Sequence, residues 1–522
     1  MSAIKNNPKY FYSYARQRQK TCIPVGPLND FSGDLVSDPK GMAKILAEQY
    51  NRAFSDPQTI TIPQDASPPQ LEETIEDIIF SEADIINAIS EINVKSAAGP
   101  DRFPAILLRN CKEVLAKPLY LIWRMSLDSG QIPSILKQSV ITPIYKDGDR
   151  KMPKNYRPVS LTSHIIKTFE KVLRNALVNF IETNNLLNPN QHGFRTGRSC
   201  LSQLVQHFDK VIEYLEEGKS VDVIYLDFSK AFDKLDFSIT LRKIHHLGIH
   251  GKIERWISCF LNGRNQAVSV GGQLSDLQPV ISGVPQGSVL GPLIFLVLLG
   301  DIDHDISHCV VSSFADDTRI LGPVSTCEDV DRIQSDLNAV YNWSINNNMM
   351  FNDDKFECLR YGKFLNVTNS TVYKSNINMP IEIKPYVRDL GVLMSSSAGF
   401  ADHINAKVLS ANKKAAWILR TFRGREPELM LTLWKSLVLP LLDYCCQLWA
   451  PCSVGQIQQL EKVQREYLKK IWGMSRLNYW EQLSTLKLYS LQRRRERYII
   501  IYVWKMLENL VPNFGIKSRI NP

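Results

Sequence analysis

The sequence predicts an α+β fold with a helical end, and three observations carry that prediction. From Val221 to about Met394, short apolar runs alternate with segments of helical spacing. After Phe400 the pattern turns almost wholly helical: in "IQQLEKVQREYLKKIW", Ile457, Leu460, Val463, Tyr467 and Ile471 recur at three- and four-residue steps. Before Val221, from Ser96 onward, helical segments are separated by irregular Gly- and Pro-marked stretches such as "SAAGPDRFP" and "NPNQHGFRTGRSC".

Bulk composition narrows the class. The 522 residues suffice for roughly three domains of about 150 residues, and 44% hydrophobic with 22% charged content belongs to a folded chain. A net charge of +9 suits a polyanionic partner. The ten cysteines include no Cys-x-x-Cys pair, which argues against a zinc knuckle or a disulfide framework; the cluster Cys445, Cys446 and Cys452 reads as small buried hydrophobes. No apolar leader follows the basic N-terminus. The most apolar stretch, Val289 to Leu299, is broken by Gly291 and Pro292 and is too short to span a bilayer. No membrane association is expected.

Taken in order, residues 1–95 read as a basic arm, a loop near Pro57 to Pro69 and a helix from Ser81 to Ile92. Helices are expected over Ile165 to Thr183 and Leu201 to Glu217. The run "VDVIYL" reads as a buried strand ending at Asp227, followed by a helix through Ala231, Phe232, Leu235 and Ile239. "SGVPQGSVLGPLIF" supplies a Gly-rich loop, Gly283 to Gly287, that leads into an apolar helix. "GDIDHDISH" reads as an exposed loop after that helix. "CVVSSFADDTRIL" is a hairpin pattern whose tip is Ala315-Asp316-Asp317.

That tip raises the question of chemistry, because two adjacent carboxylates repel with no cation between them. A carboxylate at the end of a buried strand, as at Asp227, is also costly unless paired or metal-bound, although taken alone it fits a helix N-cap or plain strand-end aspartate better. If the strand end and the hairpin tip face each other on one sheet, three carboxylates converge. Such a group is stable with divalent cations and unstable without them. Mg²⁺ takes one or two carboxylates together with phosphate oxygens, and a pair of ions clamps the attacking and leaving oxygens of an in-line phosphoryl transfer.

The three stretches "YLDFSKAFDKLD", "SGVPQGSVLGPLIF" and "SSFADDTRIL", in that order, resemble the palm motifs of reverse transcriptases. The flanking "SAAGPDRFP", "YKDGDRKMPKNYRPVSLT" and "NQHGFRTGRSC" narrow the resemblance to non-LTR, LINE-type retrotransposons of the jockey and CR kind. It runs from about Ser96 to Leu393, and a weaker similarity continues through "LVLPLLDYCCQLWAP" and "LEKVQREYLKKIWG". The resemblance implies a right-hand polymerase fold with fingers over 96–218, a palm with an antiparallel sheet over 219–398, a helical thumb and C-terminal region over 399–522, and an N-terminal extension over 1–95. It implies RNA-directed DNA synthesis with two Mg²⁺ ions (Mn²⁺ as substitute), an RNA template, a DNA primer or target and a deoxynucleoside triphosphate.

Residue by residue, the resemblance makes Asp227, Asp316 and Asp317 the metal-binding carboxylates, with the backbone carbonyl of Phe228 as a further ligand. Phe232 matches the aromatic that excludes a 2′-hydroxyl. Lys146 and Arg157 match cations that grip the triphosphate. Gln286 and Gly287 match the loop that meets nucleotide and template. Lys355 resembles a lysine that protonates pyrophosphate, and "VRDLGVLM" resembles the strand turn that holds the primer end. On its residues alone each of these lysines and arginines also fits a solvated surface, as do Lys462, Arg465, Lys469 and Lys470 and the run "RRRER", here expected to track a duplex backbone. Two positions depart from the family pattern: Phe237 stands where His is usual, and Gly300-Asp301 where Asn-Asp is usual. The upstream endonuclease of full elements has no counterpart here, so that activity is expected from a missing domain or another protein. The chain is read as a polymerase-bearing portion of an element, decayed or truncated, acting in a cytoplasmic ribonucleoprotein and in the nucleus at integration. Two rivals are a folded but inactive nucleic-acid-binding remnant, against which the intact carboxylates count, and an RNA-templated RNA polymerase, against which Phe232 counts.

Overall fold

The computed structural model describes residues 25–55, 73–362 and 373–513; the basic arm and the Pro57 to Pro69 loop expected from the sequence lie outside them. A short hairpin (β1 Leu28–Asn29, β2 Leu35–Val36) precedes the helix Pro39–Asn51. Strands β3 Gln138–Tyr145 and β4 Tyr156–Leu161 pair antiparallel, and β6 Arg264–Val270 joins β3 in parallel, with β7 Gln273–Leu274 and β8 Gln278–Val280 beside it. This sheet therefore draws strands from both sides of residue 219. The helix Pro39–Asn51 covers it, with Met42, Ala43 and Leu46 packed against Ile141, Val268 and Val270.

A second sheet holds the centre of the chain. Its strands are β5 Ser220–Leu226, β9 Val310–Phe314, β10 Asp317–Val324, β11 Glu357–Tyr361 and β12 Glu382–Lys384, in the order β12-β11-β5-β10-β9. β5 lies in the middle, antiparallel to both neighbours, which explains why its sequence is nearly all apolar. A hairpin of β13 Tyr386–Asp389 and β14 Val392–Ser395 follows, turning through Leu390 and Gly391, both at positive φ as a two-residue hairpin turn requires. The chain then becomes helical from Ala401 to Leu507, with its own core around Trp434, Trp449, Leu460 and Tyr467. The expected α+β organisation is thus present: a central sheet backed by helices, then a helical C-terminal region.

Several expectations need correcting in detail. The single helix expected through Ile239 is two, Ala231–Lys234 and Phe237–His246. Asp236 breaks it, because its carboxylate caps the second helix by accepting from Ser238 N and Ile239 N. Cys445 and Cys446 are buried but Cys452 is exposed. In the "RRRER" run, Arg495 is buried and Arg494 pairs with Asp443 at 2.7 Å, so that run is partly internal and not a wholly wet face. The loop after the apolar helix is exposed as expected at Asp301, His304 and Asp305, and Asp301 pairs there with Lys243 at 2.5 Å and Trp343 Nε1 at 2.8 Å. Among the described residues no helix is long and apolar enough to cross a membrane.

One polar cluster sits inside the central sheet. Asp222 of β5 is fully buried and accepts two hydrogen bonds from Arg360 of β11, at 2.9 and 2.8 Å, and one from the Tyr373 hydroxyl at 2.7 Å. The planar guanidinium matches both carboxylate oxygens at once, so the charge is compensated where no water reaches it. Replacing Arg360 with Met strands that carboxylate. The expected loss is about 3–5 kcal/mol of stability, read as a lower urea midpoint for the loss of β-sheet circular dichroism, whereas a loss under about 1 kcal/mol would contradict the buried-pair assignment.

Candidate active site

The antiparallel register of β5 with β10 decides where the acidic residues meet. Thr318 lies opposite Leu226, so one step further along the two chains Asp317 comes opposite Asp227, and Asp316 opposite Phe228. The β9–β10 connection is a two-residue turn, Ala315-Asp316, with Phe314 opposite Asp317. Asp317 therefore begins a strand, which corrects the expected tip of Ala315-Asp316-Asp317 to Ala315-Asp316. Ala315 supplies the positive φ of this turn, at 58°.

Asp227, Phe228 and Ser229 continue β5 along a second neighbour. Asn352 N donates to Asp227 O at 2.8 Å, and Ser229 N donates to Met350 O at 2.9 Å. Phe228 pairs with Phe351 between these bonds, so its own carbonyl points away from residues 350–352, toward the β10 side. Its ring is stacked on Phe351 with centroids 4.4 Å apart.

These residues open on a cleft of about 930 Å³. Asp227, Phe228, Asp316 and Lys355 line it together with Lys146, Arg157, Phe232, Gln286 and Gly287. Asp317 faces an adjoining cleft, which it shares with Asp227, Lys355 and the β13–β14 hairpin residues Arg388 and Leu390. Nine of the ten residues singled out in the sequence thus line one cleft, and Asp317 lines a second that shares Asp227 and Lys355 with it.

The electrostatics follow the geometry. Burial pushes the Asp316 carboxyl above its ordinary value; the charge of Asp227 adds to the shift, and Arg157 and Lys146 oppose it. Asp317 is also raised, by burial, then by Asp316 and Asp227, with Arg319 and Lys146 opposing. Asp227 has a partner already: Lys355 Nζ donates to its Oδ2 at 2.8 Å. The three carboxylates do not lie within 4.8 Å of one another. This donor set is all oxygen and partly buried, which fits a hard divalent cation.

The supporting shell contains residues that the sequence reading passed over. Gln191 is buried behind the tip: its Oε1 accepts from Ala315 N at 3.0 Å and from Gly193 N at 2.8 Å, and its Nε2 donates to Ala315 O at 3.4 Å. A Cβ on Gly193 would collide with Ala315 N, so only glycine lets this segment pass behind the turn. Arg319 of β10 is buried and ion-paired to Asp389 of β13, which joins the β9–β10 hairpin to the "VRDLGVLM" hairpin. Glu170, fully buried, accepts from Val289 N at 2.7 Å and Leu290 N at 3.0 Å, and so fixes the exit of the Gly-rich loop. Within that loop, Ser160 N of β4 donates to Gln286 O at 2.9 Å, and a Cβ on Gly287 would meet Ser160 O at 2.5 Å. The glycine is required by the neighbouring strand. Gln286 Nε2 donates to the half-buried Asp233 at 2.9 Å. Phe232 stacks on Phe295 with centroids 4.3 Å apart and meets Phe194 edge-on at 6.1 Å, so its ring has little freedom to yield. Motifs such as "NQHGF" signalled Gln191 and Gly193 only as turn formers; their partner is 124 residues away in the chain in the case of Gln191.

The raised carboxyls fix the sign of a pH effect. A group with a higher pKa in the folded state favours folding when protonated, so its contribution declines as pH rises through that folded pKa. In the absence of divalent ions at pH 7, Asp316→Asn is therefore expected to raise the thermal midpoint above wild type. The gap closes as pH falls through the raised carboxyl range, and added Mg²⁺ raises wild type more than the variant. A variant less stable than wild type in chelator at pH 7 would contradict this reading.

Comparison with known proteins agrees with the geometry. Residues 144–373 match the family described as reverse transcriptase (RNA-dependent DNA polymerase). The chain is 24% identical over 481 residues to the probable RNA-directed DNA polymerase from transposon X-element of Drosophila melanogaster, covering 88% of this chain and 52% of that protein. It is 25% identical over 470 residues to the RNA-directed DNA polymerase from mobile element jockey of Drosophila funebris, covering 87% of this chain and 49% of that one. The chain thus spans about half the length of these relatives. A solved telomerase from Candida albicans, in complex with a telomeric RNA fragment, aligns over 74% of this chain and 69% of its own, at 12% identity and a TM-score of 0.42. Over residues 144–373 the chain matches the reverse transcriptase family, and over most of its length it is similar to RNA-directed DNA polymerases of Drosophila mobile elements.

Proposed function

We propose that the protein is an RNA-directed DNA polymerase of a non-LTR retrotransposon, extending a DNA primer on an RNA template with deoxynucleoside triphosphates. The observation that carries the proposal is the β5–β10 register, which sets Asp227 opposite Asp317 and beside Asp316 in a cleft that Lys146 and Arg157 also line. In this reading residues 96–218 act as fingers, 219–398 as palm and 399–522 as thumb, with strands β6 to β8 of the palm segment completing the fingers sheet.

Asp227, Asp316, Asp317 and the Phe228 carbonyl would hold two Mg²⁺ ions, with Mn²⁺ as substitute. Bound there, the ions supply charge neutralisation on the attacking and leaving oxygens. The chain's own groups do the rest. Lys146 and Arg157, exposed on the fingers hairpin, draw the triphosphate into the cleft, and the guanidinium fork suits two phosphate oxygens. The loop of Gln286 and Gly287, stitched to β4, forms a rigid floor for the base pair. Phe232, held by Phe295 and Phe194, lies under the sugar and leaves no room for a 2′-hydroxyl. The primer 3′-hydroxyl gives up its proton to solvent as its oxygen attacks the α-phosphorus, the bond from the α-phosphorus to the bridging oxygen breaks, and Lys355 holds a proton at Nζ that pyrophosphate can take on leaving. The β13–β14 hairpin, tied to β10 through Arg319 and Asp389, steadies the primer end. The endonuclease that opens target DNA is supplied by another domain or protein, with synthesis in a cytoplasmic ribonucleoprotein and at nuclear target sites.

The test is primer extension on an RNA template with Mg²⁺. Wild type is expected to extend, and Asp227→Ala or Asp316→Ala to lose about 10³-fold or more, since positioning and charge stabilisation supply most of the rate. Nucleic-acid binding without extension by wild type would instead identify an inactive remnant. Separately, Phe232→Val is expected to raise ribonucleotide incorporation relative to deoxyribonucleotide by about tenfold or more, while equal discrimination in both proteins would remove Phe232 as the sugar filter.

A further inference from the structure

Away from the cleft, three potential ligands converge where two helices meet. His245 lies in the last turn of the helix Phe237–His246, His250 is the residue that precedes the helix Gly251–Leu261, and Glu254 lies in that helix's first turn. His245 Nδ1 is 3.0 Å from His250 Nδ1 and 3.2 Å from both Oε1 and Oε2 of Glu254. Among the described residues this is the only group of three or more His, Cys, Asp or Glu whose ligand atoms all lie within 4.8 Å of one another. None of the three lines the cleft.

Hydrogen bonding alone leaves this cluster poorly satisfied. If His245 Nδ1 carries a proton and donates to Glu254, it presents no lone pair to His250 Nδ1, and the two imidazole nitrogens compete for one hydrogen. If His250 Nδ1 carries the proton instead, the lone pair of His245 faces the carboxylate at 3.2 Å. Either way more lone pairs than hydrogens point to one spot. A cation at that spot satisfies them all, and the spacing suits one: ligands about 2.0–2.1 Å from a tetrahedral Zn²⁺ stand about 3.3 Å apart, close to the 3.0 and 3.2 Å found here.

The ligands are also held in place without the ion. His250 makes no capping hydrogen bond with its side chain, although it occupies the capping position. The turn between the helices is pinned on its other side by residues 75–76: Ile75 N donates to Gly248 O at 2.8 Å, His250 N to Ile75 O at 2.9 Å and Lys252 N to Glu76 O at 2.9 Å. Lys252, the nearest cation in the turn, is engaged elsewhere with Asp77 and Asp128 at 2.8 and 2.7 Å.

We propose that His245, His250 and Glu254 form a binding site for a zinc-class divalent transition metal, with water as the fourth ligand, pinning the helix Phe237–His246 to the helix Gly251–Leu261. Two imidazoles and a carboxylate select zinc-class ions over the magnesium that the all-oxygen cleft suits. The site is therefore distinct in both place and metal from the three aspartates.

Cobalt titration of the full chain, carrying Asp316→Asn and Asp317→Asn to remove the cleft carboxylates, tests this directly. One equivalent of Co²⁺ is expected to give the visible absorption of four-coordinate cobalt with nitrogen and oxygen ligands, without the near-ultraviolet band of a thiolate ligand, and stoichiometric Zn²⁺ should abolish it. His250→Ala and Glu254→Ala, checked for folding by circular dichroism, should each weaken binding at least tenfold. Zn²⁺ should also raise the thermal midpoint of the parent chain, while Mg²⁺ at the same concentration should not. Absence of the cobalt bands in the folded parent, a thiolate band, or bands that persist in folded His250→Ala would overturn the site and leave a hydrogen-bonded His–Glu cluster.

Discussion

The whole arrangement depends on the register between two neighbouring strands. Because β5 and β10 run antiparallel with Leu226 opposite Thr318, residues almost ninety positions apart in the chain place their carboxylates at the same end of one sheet. A slip of one residue would turn each side chain to the opposite face and scatter the acids. The register is enforced from several directions. Gln191 grips the turn from behind, Arg319 fastens β10 to β13, and Gly322 admits the Ile333 side chain of the helix Cys327–Asn346 where any larger residue would collide.

These restraints are mostly polar and mostly buried, which is a costly way to hold a fold. Asp222, Glu170, Arg319 and Gln191 each sit where apolar residues would pack with less desolvation. Each also fixes a particular backbone segment: the centre of β5, the exit of the Gly-rich loop, the middle of β10 and the hairpin tip. Apolar packing alone fills space but is tolerant of small shifts. Directional bonds, to side chains at Asp222 and Arg319 and to backbone atoms at Glu170 and Gln191, are not.

Much of this was legible in the residues. The apolar run of β5 with its terminal aspartate, the doublet on a hairpin and the Gly-rich loop before an apolar helix are local patterns, and local patterns survive in sequence. The acidic doublet itself was the strongest clue, since neither aspartate is comfortable without a cation. What could not be read were partners far apart in the chain. Nothing in "NQHGF" says that its glutamine meets Ala315, and Asp389 gives no sign that it neutralises Arg319. The break between the helices Ala231–Lys234 and Phe237–His246 was missed because apolar spacing continues across Asp236, whose capping role only the backbone reveals. His245, His250 and Glu254 were passed over for a related reason: their spacing follows no familiar metal motif, and only the turn between the helices closes them together.

The pairing of Lys355 with Asp227 has a consequence for the resting protein. An ammonium resting on one of the acids is a built-in counter-ion, so the empty pocket is never left with all its negative charge bare. Any cation that binds the same Asp227 oxygen must first displace this ammonium from it.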